Sequence, residues 1–217
     1  MDIIHAIKER KSIRAYLNKQ VEREKLEKLL ELASKAPSAI NMQPWEIVVV
    51  AGEEKQRLSR ILIKRMKELN VSCAPGAVST LPEHFIQRQR ELFETLSPGI
   101  PADMEFQDFI NEGSCNFYGA PVAIIISIDE VFSSARLTDI GIFVGYLLLS
   151  AYALGLGTCP IGLITAFEDA IKEELNIREN KKIVIGIAVG YPDLNAPINQ
   201  PKSNRIPLSH SVKWRGI

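Results

Sequence analysis

The chain carries no surplus charge of either sign: 26 Lys and Arg balance 26 Asp and Glu over 217 residues. No global field therefore draws it to nucleic acid, and any basic function must be local. Cysteine is scarce. Cys73, Cys115 and Cys159 are scattered, odd in number and without a Cys-x-x-Cys pair, which argues against a disulfide framework and a zinc site. His5, His84 and His210 show no metal-ligand spacing and stand near no Cys or Glu cluster, so no metal site is expected. No Gly-x-Ser-x-Gly elbow or Cys/His arrangement occurs. Asp129 and Glu130, adjacent after a strand, would point to opposite faces, which argues against a carboxylate pair. The opening MDIIHAIKERK places charge after a short apolar stretch, the reverse of a secretory signal. A reducing cytoplasm is the expected compartment.

One stretch lacks charge altogether, from Ile140 to Phe167. Gly155, Gly157, Pro160 and Gly162 interrupt it, leaving IGIFVGYLLLSAYAL as the helical part. About 15 residues reach roughly 22 Å, short of the ~30 Å hydrocarbon core. The expectation is a helix buried on nearly all sides, across a subunit interface, rather than a membrane span. Elsewhere, periodicity predicts helices in IIHAIKER, VEREKLEKLLELASKA, residues 53–69, LPEHFIQRQRELFETL, FQDFINEG and residues 166–176. Strands are expected in EIVVVAG, PVAIIISID and KIVIGIAVGYPD, and an extended tail with a terminal strand closes the chain. There are no internal repeats, low-complexity tracts or clean linkers. Residues 1–217 read as one α+β domain, with a less regular segment at about 71–118.

Four stretches could carry chemistry. KERKSIRAY gathers Lys8, Arg10, Lys11 and Arg14 around Ser12; guanidinium forks and a hydroxyl suit a phosphate, although a solvated helix end is the plainer reading. PKSNRIP adds Lys202 and Arg205 from the far end of the chain. GLGTCPIGLI lacks the Lys-Ser/Thr ending of a triphosphate loop and follows a helix, so neither nucleotide fingerprint fits. It reads as a glycine-rich turn whose exposed backbone N–H groups admit a flat ligand, or simply as the turn that ends the buried helix. KAPSAINMQPW brackets Ser38, Asn41 and Gln43 between two prolines and closes on Trp45, more chemistry than a connector needs. Phe85, Phe93, Phe106, Phe109, Phe117 and Tyr118 are core residues or pocket lining.

Taken together and in order, Arg10-Lys11-Ser12-x-Arg14, APSAINMQPW, FYGAPVAIIIS, GLGTCPIG, VIGIAVGYP and NRIPLSHSVKW resemble the FMN-dependent nitroreductase family. The resemblance implies an α+β fold around a mainly antiparallel sheet, a homodimer with FMN at the interface, and a C-terminal extension exchanged with the partner. It implies that Arg10, Ser12 and Arg205 hold the FMN phosphate, assisted by Lys11 and Lys202, with Arg14 near N1 and O2 of the ring. Pro37, Ser38, Ala39, Asn41 and Gln43 would reach the flavin of the other subunit, with Trp45 anchoring the loop. The backbone of Pro160, Ile161, Gly162 and Leu163 would face N5, the Gly162 N–H foremost. The implied activity is hydride transfer from NADH or NADPH through flavin N5 to a nitroaromatic, quinone or similar flat acceptor, by a ping-pong course that needs no catalytic side chain. Other chemistry on the same fold (reductive dehalogenation, flavin breakdown) and a non-catalytic flavin-binding protein are the alternatives. Many relatives carry an acidic residue where Gly162 stands, so substrate-side polarity is expected to differ. Residues 71–118 match no familiar pattern and are the expected lid and substrate-selecting segment.

Overall fold

A computed structural model describes residues 2–216. Its centre is a four-stranded sheet of β1 (Trp45–Ala51), β2 (Val122–Asp129), β3 (Gly157–Ile161) and β4 (Lys181–Gly190). The order is β1-β2-β4-β3 and every pairing is antiparallel. The apolar runs of β2 and β4 follow from burial on both faces, since strand side chains alternate. In β2, Val122, Ile124, Ile126 and Ile128 pack on one side with Ile187 and Val189. Ala123 and Ile125 pack on the other with Ile183 and Ala188.

Helices cover both faces. On the first lie α2 (Arg23–Ala33) and α6 (Leu137–Ala153), through Leu29, Ala33, Ile140, Phe143, Leu147 and Ala151. On the second lie α3 (Gly52–Leu69), α5 (Phe106–Cys115) and α7 (Glu168–Leu175), through Leu58, Leu62, Cys115 and Ile171. Full burial of each of these Leu, Ile and Phe side chains is worth roughly 1.5–3 kcal/mol. Helices α1 (Ile3–Glu9) and α4 (Glu83–Leu96) lie at the periphery; α4 has one buried residue, Leu96.

Two expectations need correction. GLGTCPIGLI is more than a turn, because Gly157–Ile161 form edge strand β3 paired with β4. Gly157 also lets the N-terminal segment close in: a Cβ there would lie 2.8 Å from Ile13 Cγ1. Ile13 N–H donates to the Thr158 carbonyl at 2.9 Å, and Ser12 bridges Thr158 in parallel, so the outer edge of β3 is covered. The tail forms no strand among the described residues; its regular pieces are short 3-10 turns at Pro197–Asn199 and Leu208–His210. Within the single chain, α6 keeps an uncovered face. With the preceding turn it runs Ser134–Ala153, 20 residues and apolar enough to cross a membrane by length and composition, with Asp139, Ile140, Phe143, Val144, Leu147 and Ala151 buried. Gly141 and Tyr146 are exposed. A uniformly apolar helix shows little periodicity, so its sequence does not separate a core face from an uncovered one.

Candidate active site

The covered edge of β3 explains why basic groups from both termini meet. Segment 12–16 lies along Thr158, and Asn199, 2% exposed, clamps the tail onto it. The Asn199 Oδ1 accepts from Arg14 N–H, while its Nδ2 donates to the carbonyls of Ala15 and Asp193, all at 2.8 Å. Lys11 Nζ donates to the Gln200 carbonyl at 3.0 Å, and Lys202 pairs with Glu9. Arg10 is the C-cap of α1, where a cation meets the negative end of the helix.

The result is a cavity of about 520 Å³ lined by Lys8, Arg10, Lys11, Ser12, Arg14, Lys202 and Arg205, with no Asp or Glu in its wall. Burial and the neighbouring Arg205 charge push the Arg10 pKa down. Burial and Lys202 push Lys11 down, against a weaker opposite pull from Glu9. Cations crowded and desolvated in this way attract an anion. Arg14 adds the clearest sign: its Nε is buried and has no hydrogen-bond partner.

Arg14, with Leu92 and Leu96, also lines a second cavity of about 260 Å³. One wall is Cys159, Pro160, Ile161, Gly162 and Leu163; the others come from Cys73–Pro75, from Gln89 and Phe93 on α4, and from Phe106, Gln107, Ser114 and Tyr118. This wall carries no carboxylate either. Burial holds the Cys159 thiol above its usual range, and the nearby Arg14 charge pulls the other way. Burial likewise pushes the Tyr118 hydroxyl up to about 12, so it stays protonated. Phe93, Phe106 and Tyr118 are lining, Phe117 is fully buried core, Phe109 packs on Tyr118 at 5.9 Å, and Phe85 is exposed. The aromatic pattern could not separate these roles. A cation cradle joined at Arg14 to a narrow aromatic slot can hold a flat ring carrying a phosphate arm.

The structure thus brings together Arg10, Lys11, Ser12, Arg14, Lys202 and Arg205, with Pro160, Ile161, Gly162 and Leu163 adjoining. Pro37, Ser38, Ala39, Asn41 and Gln43 line neither cavity. They form a separate, strained loop: Ile40, Asn41 and Gln43 have φ of 44°, 59° and 47°. Ser38 Oγ accepts from Gln43 N–H at 2.9 Å, and Ala39 N–H donates to buried Asp139, which Arg136 holds at 3.1 Å. Trp45 stacks on Phe143 at 4.7 Å and fixes the loop's end, while Ile40 is 90% exposed. Asn199 and the cavity's Gln89 and Gln107 escaped the sequence analysis, because single amides in a Pro-rich tail or on a helix carry no pattern.

A family model described as the nitroreductase family matches residues 7–191. The chain belongs to the nitroreductase family. As a nitroreductase-family chain it is 31% identical to a 4-nitrobenzoate reductase of Pseudomonas putida over 207 residues, covering 94% of this chain and 91% of the relative. It resembles a solved FMN-dependent nitroreductase NfnB from Mycobacterium smegmatis in complex with NADPH, at TM-score 0.87 and 30% identity, covering 99% of this chain and 100% of that one. It also resembles the FMN and NADPH-dependent nitroreductase NfnB from Sphigopyxis sp. strain HMH, at TM-score 0.90 and 25% identity, with 100% of both chains covered. The antiparallel sheet and its helical layers are the nitroreductase-like fold.

Proposed function

We propose that this chain is an FMN-dependent oxidoreductase that passes electrons from NADH or NADPH to nitroaromatic, quinone or similar flat acceptors. The supporting observation is the cradle whose cavity wall holds no Asp or Glu and whose Arg14 Nε has no partner, opening beside an aromatic slot walled by Pro160–Leu163. Those residues fit the cofactor that the relatives' names carry. Arg10, Ser12 and Arg205 hold the phosphate, and Lys11 and Lys202 add charge around it. Arg14 supplies a cation where the ring's reducible end would gather negative charge, and the backbone of residues 160–163 flanks the ring. Bound FMN would supply the hydride chemistry that links nicotinamide and acceptor. The chain's own work is binding, orientation and partial exclusion of water, so it needs no acid–base pair.

The working unit in this reading is a homodimer. The strained Pro37–Gln43 loop, the uncovered face of α6 and the exposed Ile3, Ile4 and Ile7 of α1 supply the contact surface, with Ile40 foremost. The tail reaches the partner, and residues 71–118 act as the lid over the slot within a single domain. Purified protein should be yellow, should bleach anaerobically with NADH or NADPH, and should recolour when a nitroaromatic or quinone is added. Bleaching by dithionite but by neither nicotinamide would exclude this electron route. A colourless chain that stays so after incubation with FMN would exclude the cofactor.

A further inference from the structure

We propose that Tyr118 is a positioning residue, holding the Arg14 guanidinium at the junction of the cradle and the slot. The inference rests on the flavin reading above and names what tunes that site. Arg14 makes no ion pair among the described residues, so no carboxylate fixes its side chain. What lies beside it is Tyr118: the guanidinium carbon sits 5.9 Å from the ring centroid, and Arg14 pulls the Tyr118 hydroxyl pKa down against the larger effect of burial. An electron-rich ring attracts a cation without accepting its N–H groups. A carboxylate at the same place would hold the arginine equally well, but it would consume those donors and cancel the charge. The partnerless Nε is what an aromatic support leaves behind.

Tyr118 is itself held from several directions. Its backbone is in the left-handed region at φ 52°, strained for an aromatic residue and kept there by its surroundings. The Asn116 side chain accepts from Gly119 N–H at 3.3 Å and closes that turn. Beneath the ring lies Gly113, where a Cβ would come within 2.4 Å of Tyr118 Cε1. Phe109 packs at its side, and Ser114 Oγ is 3.4 Å from the hydroxyl. Such a fixed ring can hold a flexible cation in one place. A cation left unneutralised there favours the reduced, more negative flavin over the oxidised form. Tyr118 therefore raises the flavin potential through Arg14.

The test compares FMN-loaded parent, Tyr118→Phe, Tyr118→Leu, Arg14→Met and the Tyr118→Leu/Arg14→Met double variant by dye-equilibrated redox titration. Tyr118→Leu is expected to disfavour the reduced form about tenfold, ~30 mV lower for a two-electron couple. Tyr118→Phe keeps the ring and should stay near the parent. In the Arg14→Met background, Tyr118→Leu should add nothing. Gly113→Ala, whose residue lines neither cavity, should displace the ring and move the potential in the same direction as Tyr118→Leu. An undiminished Tyr118→Leu shift without Arg14, or a Phe variant as low as the Leu variant, overturns the assignment. A parent that binds no flavin would instead bring down the reading on which the assignment rests.

Discussion

The basic cradle and the Pro37–Gln43 loop both break ordinary rules, in opposite ways. The cradle crowds six cations against a single carboxylate partner, Glu9 on Lys202, yet its backbone is well bonded: segment 12–14 is tied to Thr158, and the tail is tied to segment 14–15 by Asn199. The loop has its polar groups in order but holds Ile40, Asn41 and Gln43 in left-handed backbone, with Ile40 turned to solvent. Electrostatic frustration is relieved by an anion small enough to diffuse in. Strained backbone bearing an exposed apolar side chain is relieved by a surface. In the proposed reading, one chain completes the first device with a ligand, whereas the second calls for another protein face.

The largest effect should come from emptying the cradle. Arg10→Ala and Arg205→Ala should each weaken FMN binding by about 2 kcal/mol, roughly 30-fold, since each removes a charge-assisted contact. The double variant should retain almost no flavin at micromolar protein. Dimer assembly should survive, because the loop and the α6 face are untouched; flavin absorbance after gel filtration reports both at once. Unchanged flavin content would remove these arginines from the site.

Next is the clamp beneath the cradle. Asn199→Leu leaves three backbone groups without their amide partner, at 1–3 kcal/mol for each group that water cannot reach. A loss of about 3 kcal/mol in urea unfolding is expected, along with weaker FMN binding as the tail carrying Lys202 and Arg205 loosens. Loss of stability with full flavin affinity would show that the cradle does not depend on the clamp.

The same contrast explains what could be read in advance. The cradle announced itself because four cations in KERKSIRAY are a local excess in a neutral chain. Most core elements were visible too, since Leu26, Leu29, Leu30 and Ala33 follow helical spacing and β2 and β4 are unbroken apolar runs. Strand β3 was hidden because Gly157 and Pro160 within it mimic a turn, and only non-local pairing with β4 makes them a strand. Asn199 was hidden because its importance lies in three partners far along the chain or across a turn. The loop's residues were singled out but its strain was not: asparagine tolerates left-handed backbone, while nothing in a lone isoleucine announces it.

That strain supplies a smaller test. Ile40→Asn places a residue suited to φ 44° where the present side chain, 90% exposed, gains nothing from folding. The isolated fold should gain about 1 kcal/mol as the left-handed penalty falls. The dimer should weaken as an apolar contact is lost. Unfolding at low and high protein concentration separates the two effects. A variant that gains stability and dimerises as before would leave the strain without a role in assembly.

The smallest effect comes from a cation outside the cradle, which separates crowding from burial. Lys55 on α3 is 8% exposed, donates to the Asn116 carbonyl at 2.8 Å and has no carboxylate partner. Burial alone lowers its pKa from 10.5 to about 8. The unfolded chain therefore binds more protons than the folded one between pH 8 and 10.5. The charged lysine's penalty is full below that window and fades as pH rises through it, so stability should climb. Complete desolvation would make the climb about 3 kcal/mol, and partial solvent access reduces it to the order of 1 kcal/mol. Lys55→Met lacks this titration, so the stability difference between variant and parent should narrow from pH 7.5 to 10.5. A constant difference would show that Lys55 keeps an ordinary pKa. Unpaired charge would then matter in this fold only where several cations share one wall, as they do in the cradle.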